Sequence, residues 1–157
     1  RSTLFPYTTL FRSTNRSASP NPGPGGFAVI NQHGQPLALG RESHSTNIRM
    51  EAVAIIEALQ LADGQPIKIY TDSQFWINVL TQWAPTWAKN NWTKKKGEIK
   101  NLDLVQTAFE LYQQSQATLI WVKGHSDNQL NAQADYWANQ ARQGVTLTEV
   151  KEKICAN

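Results

Sequence analysis

Segments with strand-like and helix-like patterns alternate along most of this chain. Residues 27–31 form a short apolar strand, and His33 and Gly34 mark a tight turn into a second strand near residues 35–40, which predicts a β-hairpin. The preceding PGPGG lacks the GK[ST] of a phosphate-binding loop, so we interpret it as turn geometry. Two later segments rich in β-forming residues are also predicted strands, 67–71 and 118–122.

Four longer segments have the composition or the apolar spacing of helices. Thr46 precedes the first of them as a predicted N-cap, and Asp63 and Gly64 end it. The predicted helices are 47–62, with the apolar stripe Ala52, Ile55, Ile56 and Leu59; 73–81; 101–114, with Leu104, Ala108, Leu111 and Tyr112; and 127–142, with Leu130, Ala134, Trp137, Ala138 and Ala141.

The order of these elements predicts the fold class. Pro85 and Gly97 interrupt any single long helix in residues 83–98, so we expect a short helix there, followed by a protruding basic loop. Strands separated by helices favour parallel pairing, whereas the hairpin is antiparallel. We therefore expect an α/β fold with a mixed five-stranded sheet and helices on both faces.

Length and composition are those of one globular domain. A chain of 157 residues can bury a core without help. Its longest uninterrupted aliphatic run, residues 52–56, is far too short to cross a membrane, so we expect a soluble protein with no membrane partner. The single Cys155 excludes an intramolecular disulfide and a cysteine-based metal site. We expect a cytoplasmic monomer.

Positive charge is concentrated in residues 89–100, which contain five lysines and one acid. Such a cluster indicates a polyanionic partner, such as a nucleic acid. The alternative is a solvated lysine-rich loop with no partner.

The first thirteen residues, RSTLFPYTTLFRS, lack the pattern of a signal peptide. They resemble the conceptual translation of a sequencing-library adapter. We therefore expect an artefactual or non-native segment at 1–13, a functional domain at 14–144 and a C-terminal tail at 145–157. The alternative is a genuine strand at residues 7–11, which are rich in β-forming residues.

Three acids occupy positions where an unpaired carboxylate is costly. Glu51 lies within the apolar pattern of the first helix, Asp72 follows a predicted strand, and Asp135 lies within the stripe of the last helix. For each of these acids taken alone, the ordinary alternative to a metal ligand is a carboxylate that caps a helix or forms a salt bridge. Together they lie where open α/β sheets place ligands, beyond the carboxyl ends of the strands. Oxygen donors without Cys or clustered His favour Mg²⁺ or Mn²⁺.

Five motifs resemble those of type 1 ribonucleases H in order and approximate spacing. The resemblance covers about residues 14–142 and implies a ribonuclease H-like fold. It also implies an endonuclease that hydrolyses the RNA strand of RNA·DNA hybrids with two Mg²⁺ ions, or alternatively Mn²⁺. Glu51, Asp72 and Asp135 are then metal ligands, and His125 is a mobile histidine that helps protons or product leave. The motifs are NPGPGGF (21–27), TNIRME (46–51), YTDSQ (70–74), WVKGH (121–125) and NAQAD (131–135).

The resemblance also implies which residues bind the hybrid. Three amides match positions that address the minor groove, where they reach base edges and 2′-hydroxyls, although a turn former, a helix cap and a helix-surface residue are the ordinary alternatives. Residues 83–100 look like the basic protrusion of bacterial members. The amides are Asn21, Asn47 and Gln74, and the other expected hybrid-binding residues are Thr46, Trp83, Trp87, Lys89, Trp92, Lys94, Lys95 and Lys96.

The chain departs from the family pattern at the first catalytic aspartate. Where the family has a TDGS-like run, residues 14–17 read TNRS, so Asn15 is a defective metal-binding position. Arg12 and Ser13 stand where a central strand should be apolar, and Ile48 replaces a polar residue common in bacterial members. We expect impaired cleavage, with a noncatalytic hybrid-binding domain as the alternative. Integrases and transposases share a related fold but not this set of motifs.

Overall fold

The computed structural model describes residues 8–14, 23–123 and 129–156, with the backbone alone for 8–14. Its centre is one mixed sheet of five strands. The strands are β1 (Thr8–Thr14), β2 (Gly23–Ile30), β3 (Pro36–Ser45), β4 (Pro66–Thr71) and β5 (Gln116–Trp121).

Helices follow β3, β4 and β5 along the chain. Within the described residues, no helix is both long and apolar enough to cross a membrane. The helices are α1 (Asn47–Ala62), α2 (Gln74–Asn78), α3 (Ala84–Lys89), α4 (Leu102–Gln113), α5 (Gln129–Arg142) and α6 (Leu147–Ala156), and a π turn (Val79–Trp83) joins α2 to α3.

The strand order is β3-β2-β1-β4-β5, so β1 is the central strand. β2 pairs antiparallel with both β1 and β3, while β1, β4 and β5 pair in parallel. β3 therefore runs in the same direction as β1, and β2 alone is reversed. The predicted α/β class with a mixed five-stranded sheet is confirmed.

The two faces of the sheet bury alternate residues of β2. Phe27 and Val29 belong to the larger core, which they share with α1, whereas Ala28 and Ile30 pack with α5. Successive strand side chains point to opposite faces, so one apolar strand can serve both layers. Helices thus cover both faces, as predicted.

Local signals placed the hairpin and α1 correctly. The Asn31 side-chain oxygen accepts hydrogen bonds from the amides of His33 (2.9 Å) and Gln35 (3.0 Å), which closes the turn between β2 and β3. The hydroxyl of Thr46 accepts from the amide of Arg49 (3.2 Å), as expected of an N-cap. All four predicted stripe residues of α1 are buried.

The glycine-rich stretch is strand and not turn, which corrects the interpretation of PGPGG. β2 already begins at Gly23, and a β-bulge separates Gly23 from Gly25. Gly26 explains the composition: a Cβ there would meet the carbonyl oxygen of Ala138 and lie 2.5 Å from the amide nitrogen of Arg142. Only a residue without a side chain lets α5 pack this close to β2.

Three further expectations need correction. Pro85 does not interrupt the helix after β4, because the π turn carries the helical path from α2 into α3. In α4 the buried residues are Val105, Ala108 and Phe109, whereas the other predicted stripe residues are half-buried. The predicted tail contains α6, whose Val150 is buried.

Of the first thirteen residues, the structure describes those from Thr8 onward, which belong to β1. Arg12 and Ser13 pair with Ala28 and Phe27 of β2, in the centre of the sheet. The backbone therefore agrees with the alternative of a strand in this region. The origin of the segment stays a prediction.

Replacing Gly26 with Ala should destabilise the protein by about 1–3 kcal/mol, because the added methyl group meets helix backbone that cannot rotate away. Urea unfolding of the purified variant measures this change. Ser43→Thr adds one methyl group at an exposed position of β3 and should stay within about 0.5 kcal/mol of the parent. Equal stability of Gly26→Ala and the parent would contradict the close packing of α5 on β2.

Candidate active site and nucleic-acid interface

Four of the five strands end on one side of the sheet, which we call the carboxyl end. α1 begins just after β3, and α2 just after β4, so both helix starts lie at this end. In open α/β sheets this is the usual place for a ligand. The last residues of these strands are Thr14, Ser45, Thr71 and Trp121.

Three half-buried carboxylates lie on elements that contact or pair with β1. Glu51 is in the second turn of α1, Asp72 directly follows β4, and Asp135 lies on α5. α1 and α5 contact β1 from opposite faces of the sheet, and β4 pairs with it in the sheet plane. Their shared neighbour is β1, whose last residue, Thr14, directly precedes Asn15.

Asp72 lies in a turn that hydrogen bonds hold in place. The Thr71 hydroxyl accepts from the amide of Ser73 (3.0 Å), and the Ser73 hydroxyl caps α2 by accepting from the amide of Trp76 (3.3 Å). The amide of Val122 donates to the Thr71 carbonyl (2.9 Å), which ties the chain after β5 to the same point. The backbone on either side of Asp72 is therefore fixed.

A buried tryptophan connects the Asp72 and Glu51 segments. The Trp76 indole is fully buried, and its N–H donates to the carbonyl of Ile48 at 2.8 Å. Ile48 lies in the first turn of α1, one turn before Glu51. This bond couples the start of α2 to the start of α1.

Asp135 is held near the end of β1 by the close packing at Gly26. Gly26 pairs with Thr14 in the sheet and approaches the backbone of α5 at Ala138. Asp135 precedes Ala138 by almost one helical turn, and its neighbour Ala134 is fully buried. The predicted stripe of α5 is confirmed, with Ala134, Ala138 and Ala141 buried and Leu130 and Trp137 half-buried.

These placements do not by themselves make a metal site. Across residues 8–14, 23–123 and 129–156, no group of three or more His, Cys, Asp or Glu side chains is close enough to hold a metal ion. The candidate residues Asn15, Asn21 and His125 lie outside the described residues. The metal-ligand assignment stays a prediction.

The predicted polar hybrid contacts lie at helix starts on the carboxyl end. Asn47 is the first residue of α1 and Gln74 the first of α2, and both are exposed. Gln74 donates to the side-chain oxygen of Asn78 (3.1 Å). Ile48 is 41% exposed, so this apolar side chain lies at the surface next to Asn47.

Three aromatic side chains form a row along the helix after β4, which we call the aromatic row: Phe75, Trp83 and Trp87. The Phe75 and Trp83 ring centroids are 5.8 Å apart, and those of Trp83 and Trp87 are 6.2 Å apart. The row lines a groove of about 370 Å³ together with Lys94 and Lys100. Stacking surfaces beside cations suit a nucleic-acid strand.

The basic segment, residues 89–100, is anchored to the core at two points. Trp92 packs edge-to-face on Phe109 (5.9 Å between centroids), and Ile99 is buried. The position of Trp92 favours anchoring over direct contact with a hybrid. The exposed cations of the segment are Lys89, Lys94, Lys95, Lys96 and Lys100.

Arg49 joins the start of α1 to α4. Its guanidinium donates to the side-chain oxygen of Asn101 (3.0 Å) and to both carboxylate oxygens of Asp103 (3.3 and 3.1 Å). The hydrogen bond from Arg49 lowers the pKa of the Asp103 carboxyl, and the same bond raises the pKa of Arg49. This forked pair supports the helix start that carries Thr46 and Asn47.

Sequence patterns did not identify Phe75, Lys100 or Arg49 as part of this surface. Phe75 and Trp83 are eight residues apart, and in a regular α-helix their side chains would lie about 80° apart around the axis and not in one row. Lys100 was recognised as part of the charged cluster and as the last residue of the predicted basic protrusion, but not among the expected hybrid-binding residues. Arg49 depends on partners in α4, more than fifty residues later, and no local signal predicts them.

Comparisons with known proteins agree on one family. A family model described as RNase H matches residues 9–143. A ribonuclease H of Dichelobacter nodosus is 44% identical over 125 residues, covering 77% of this chain and 83% of that protein. A ribonuclease H of Nitrobacter hamburgensis is 38% identical over 154 residues, covering 96% and 99%.

Solved structures of ribonucleases H superpose on this chain, which confirms the predicted ribonuclease H-like fold. The crystal structure of LC9-RNase H1, described as a type 1 RNase H with the type 2 active-site motif, superposes with a TM-score of 0.76 at 26% identity. It covers 89% of this chain and 73% of that one. The solution structure of the PFV RNase H domain gives a TM-score of 0.71 at 20% identity, covering 87% and 94%, and supports the fold alone.

The Arg49–Asp103 pair predicts a pH dependence. Because the folded pKa of Asp103 is depressed, the pair stabilises the protein at neutral pH, and this contribution is lost as pH falls through that folded pKa. Asp103 is 65% exposed, so the contribution should not exceed about 1 kcal/mol. In a carbon-detected NMR titration of the carboxyl, Arg49→Gln should raise the pKa of Asp103 towards its ordinary value.

The control is Arg41→Gln, which removes an exposed arginine of β3. It should leave the Asp103 titration as in the parent. An Asp103 titration that is identical in Arg49→Gln and in the parent would show that the ion pair does not form in solution.

Proposed function

Because this chain belongs to the ribonuclease H family, we propose that it hydrolyses the RNA strand of RNA·DNA hybrids. We further propose that Glu51, Asp72 and Asp135 hold two divalent metal ions, and that Asn15 in place of an aspartate impairs the reaction. The observation that carries this proposal is the convergence of three acid-bearing elements on β1, whose carboxyl end immediately precedes Asn15.

The donor set fits hard divalent cations. All three acids offer oxygen only, and all three are half-buried, so a bound cation would offset the cost of their burial. Mg²⁺ is the ion we propose, with Mn²⁺ as the alternative. Two such ions, when bound, supply activation of the attacking water and stabilisation of the leaving 3′ oxygen.

Asn15 weakens this donor set in two ways. A carboxylate has two anionic oxygens that can bridge two cations, whereas a carboxamide has one neutral oxygen and an NH₂ group that cannot bind a cation. The site also loses one negative charge, so two nearby cations would repel each other with less compensation. At least one of the two ions should then bind poorly.

The remaining roles follow from chemistry and position. His125, after Gly124, would accept or release a proton near the leaving group, since an imidazole changes charge close to neutral pH. Asn47 and Gln74, with Asn21, would contact base edges and 2′-hydroxyls in the minor groove, which separates RNA from DNA. The aromatic row and the basic segment would hold the sugar–phosphate backbones.

A second candidate is a noncatalytic hybrid-binding domain, and Asn15 is the feature that favours it. Such a domain would keep the amides, the aromatic row and the lysines but lack the full metal site. The two candidates differ in whether restoring one carboxylate restores cleavage.

Asn15→Asp should restore cleavage of a labelled RNA·DNA hybrid in millimolar Mg²⁺, where the parent cuts weakly or not at all. The change returns the bridging carboxylate and its charge to the site. Apolar residues in place of Arg12 and Ser13 should increase the rescue, because β1 is the central strand of the sheet. Cleavage is measured by gel electrophoresis of the labelled RNA strand.

The control for this rescue is Asn15→Asp combined with Asp72→Asn, which should be inactive. Robust cutting by the parent would contradict the impairment. Cutting that survives the loss of Asp72 would contradict the metal site itself.

Replacing Lys94, Lys95 and Lys96 with Gln should weaken hybrid binding and make it less sensitive to salt. Each lost phosphate contact should reduce the slope of log K against log salt by roughly 0.7–0.9. The matched control replaces Lys68, Lys151 and Lys153, which are exposed on β4 and α6. Identical slopes in the two triple variants would assign the basic segment to solvated surface.

A further inference from the structure

The helix after β4 contains one irregular turn. From Gln74 to Lys89 the helical path is continuous, but residues 79–83 form a π turn. At its end the amide of Ala84 donates to the carbonyl of Val79, five residues earlier and not four. π turns are rare, and they are frequent at functional positions.

The π turn changes which side chains share a face. An α-helix turns by about 100° per residue, so Trp83, eight residues after Phe75, would lie about 80° away around the axis. A π turn takes one residue more than an α turn, which brings Trp83 back to within about 20° of Phe75. The ring separation of 5.8 Å agrees with this alignment.

A regular α-helix would align different residues with Phe75. The position seven residues later is Gln82, and the position four residues after that is Thr86. Both are polar and exposed. The π turn therefore replaces a row of Phe75, Gln82 and Thr86 with one of Phe75, Trp83 and Trp87.

Pro85 accounts for the place of this turn. In a regular α-helix its ring would clash with the carbonyl of Thr81, four residues earlier, and it has no amide hydrogen to donate. The π turn ends two residues before Pro85, so the helix widens where the ring needs space, and Pro85 then occupies the first turn of α3.

We propose that the π turn sets the register of the nucleic-acid-binding surface, and that Pro85 is a positioning residue for hybrid binding because it holds that turn in place. This inference rests on the proposed function, since it takes the aromatic row to contact the hybrid. The turn itself contains Trp83 and Val79, which line the groove, and Thr81 and Gln82, which do not.

The first test removes the extra residue. Deleting Gln82 and replacing Pro85 with Ala should convert the segment into a regular helix with Phe75, Trp83 and Trp87 still in line. Binding of a short RNA·DNA hybrid without divalent metal should then stay within about threefold of the parent. If the parent segment were a regular α-helix, the same deletion would instead rotate both tryptophans by about 100° relative to Phe75, so binding would change.

The second test keeps the chain length and exchanges two neighbours, Gln82→Trp with Trp83→Gln. Both positions are exposed, so the fold should be preserved, which thermal unfolding checks. One indole moves off the row, and the hybrid should bind at least about tenfold more weakly. Parental affinity of the exchange variant, or lost binding by a folded deletion variant, would overturn the proposal. If the deletion variant does not fold, the hybrid affinity of the exchange variant alone tests the proposal.

Nucleic acid is not needed to follow the register itself. NMR cross-relaxation between the Phe75 ring and the indole at the row position should persist in the deletion variant and disappear in the exchange variant. If the parent binds a hybrid no better than duplex DNA at fixed salt, the proposed function fails. The register inference is then judged by the ring contacts alone, and their loss from a folded deletion variant contradicts it.

Discussion

Packing of helices against both faces of β1 is the constraint on which the rest of this structure depends. α1 and α5 approach the central strand from opposite sides, so side chains on the two helices are separated by the sheet along its length. They can meet only beyond the end of β1. Glu51, in the second turn of α1, and Asp135, almost one turn before Ala138 of α5, lie toward the carboxyl end, where Asp72 follows β4. Gly26 makes this arrangement possible, because it lets α5 come close to the strand that pairs with β1.

Features that depend on local chemistry were predictable from the sequence. The N-cap at Thr46, the Asn31 turn and the buried stripe of α1 each involve residues a few positions apart, so pattern and structure agree. The elements that carry Glu51, Asp72 and Asp135 also followed from the pattern, since Glu51 and Asp135 lie within the apolar patterns of helices and Asp72 directly follows an apolar strand.

Features that depend on tertiary contacts were not predictable in this way. The glycines of PGPGG have the composition of a turn, but Gly26 lies in β2, where the close approach of α5 leaves no room for a side chain. In α4 the buried face includes Phe109, and Trp92 of the basic segment packs on its ring from a distant part of the sequence. Pro85 is a helix breaker by composition, but the π turn before it gives its ring room. The alignment of Phe75 with Trp83 follows from that same irregular turn.

The central claim is that the carboxylates at the carboxyl end bind two metal ions once Asn15 is an aspartate. A crystal structure of Asn15→Asp with an RNA·DNA hybrid and Mn²⁺, with His125 replaced by Ala to slow cleavage, tests it most directly through anomalous scattering. The account predicts two manganese peaks about 4 Å apart, in contact with Glu51, Asp72, Asp135 and the new carboxylate. Density for the hybrid without any manganese peak at these side chains would contradict it.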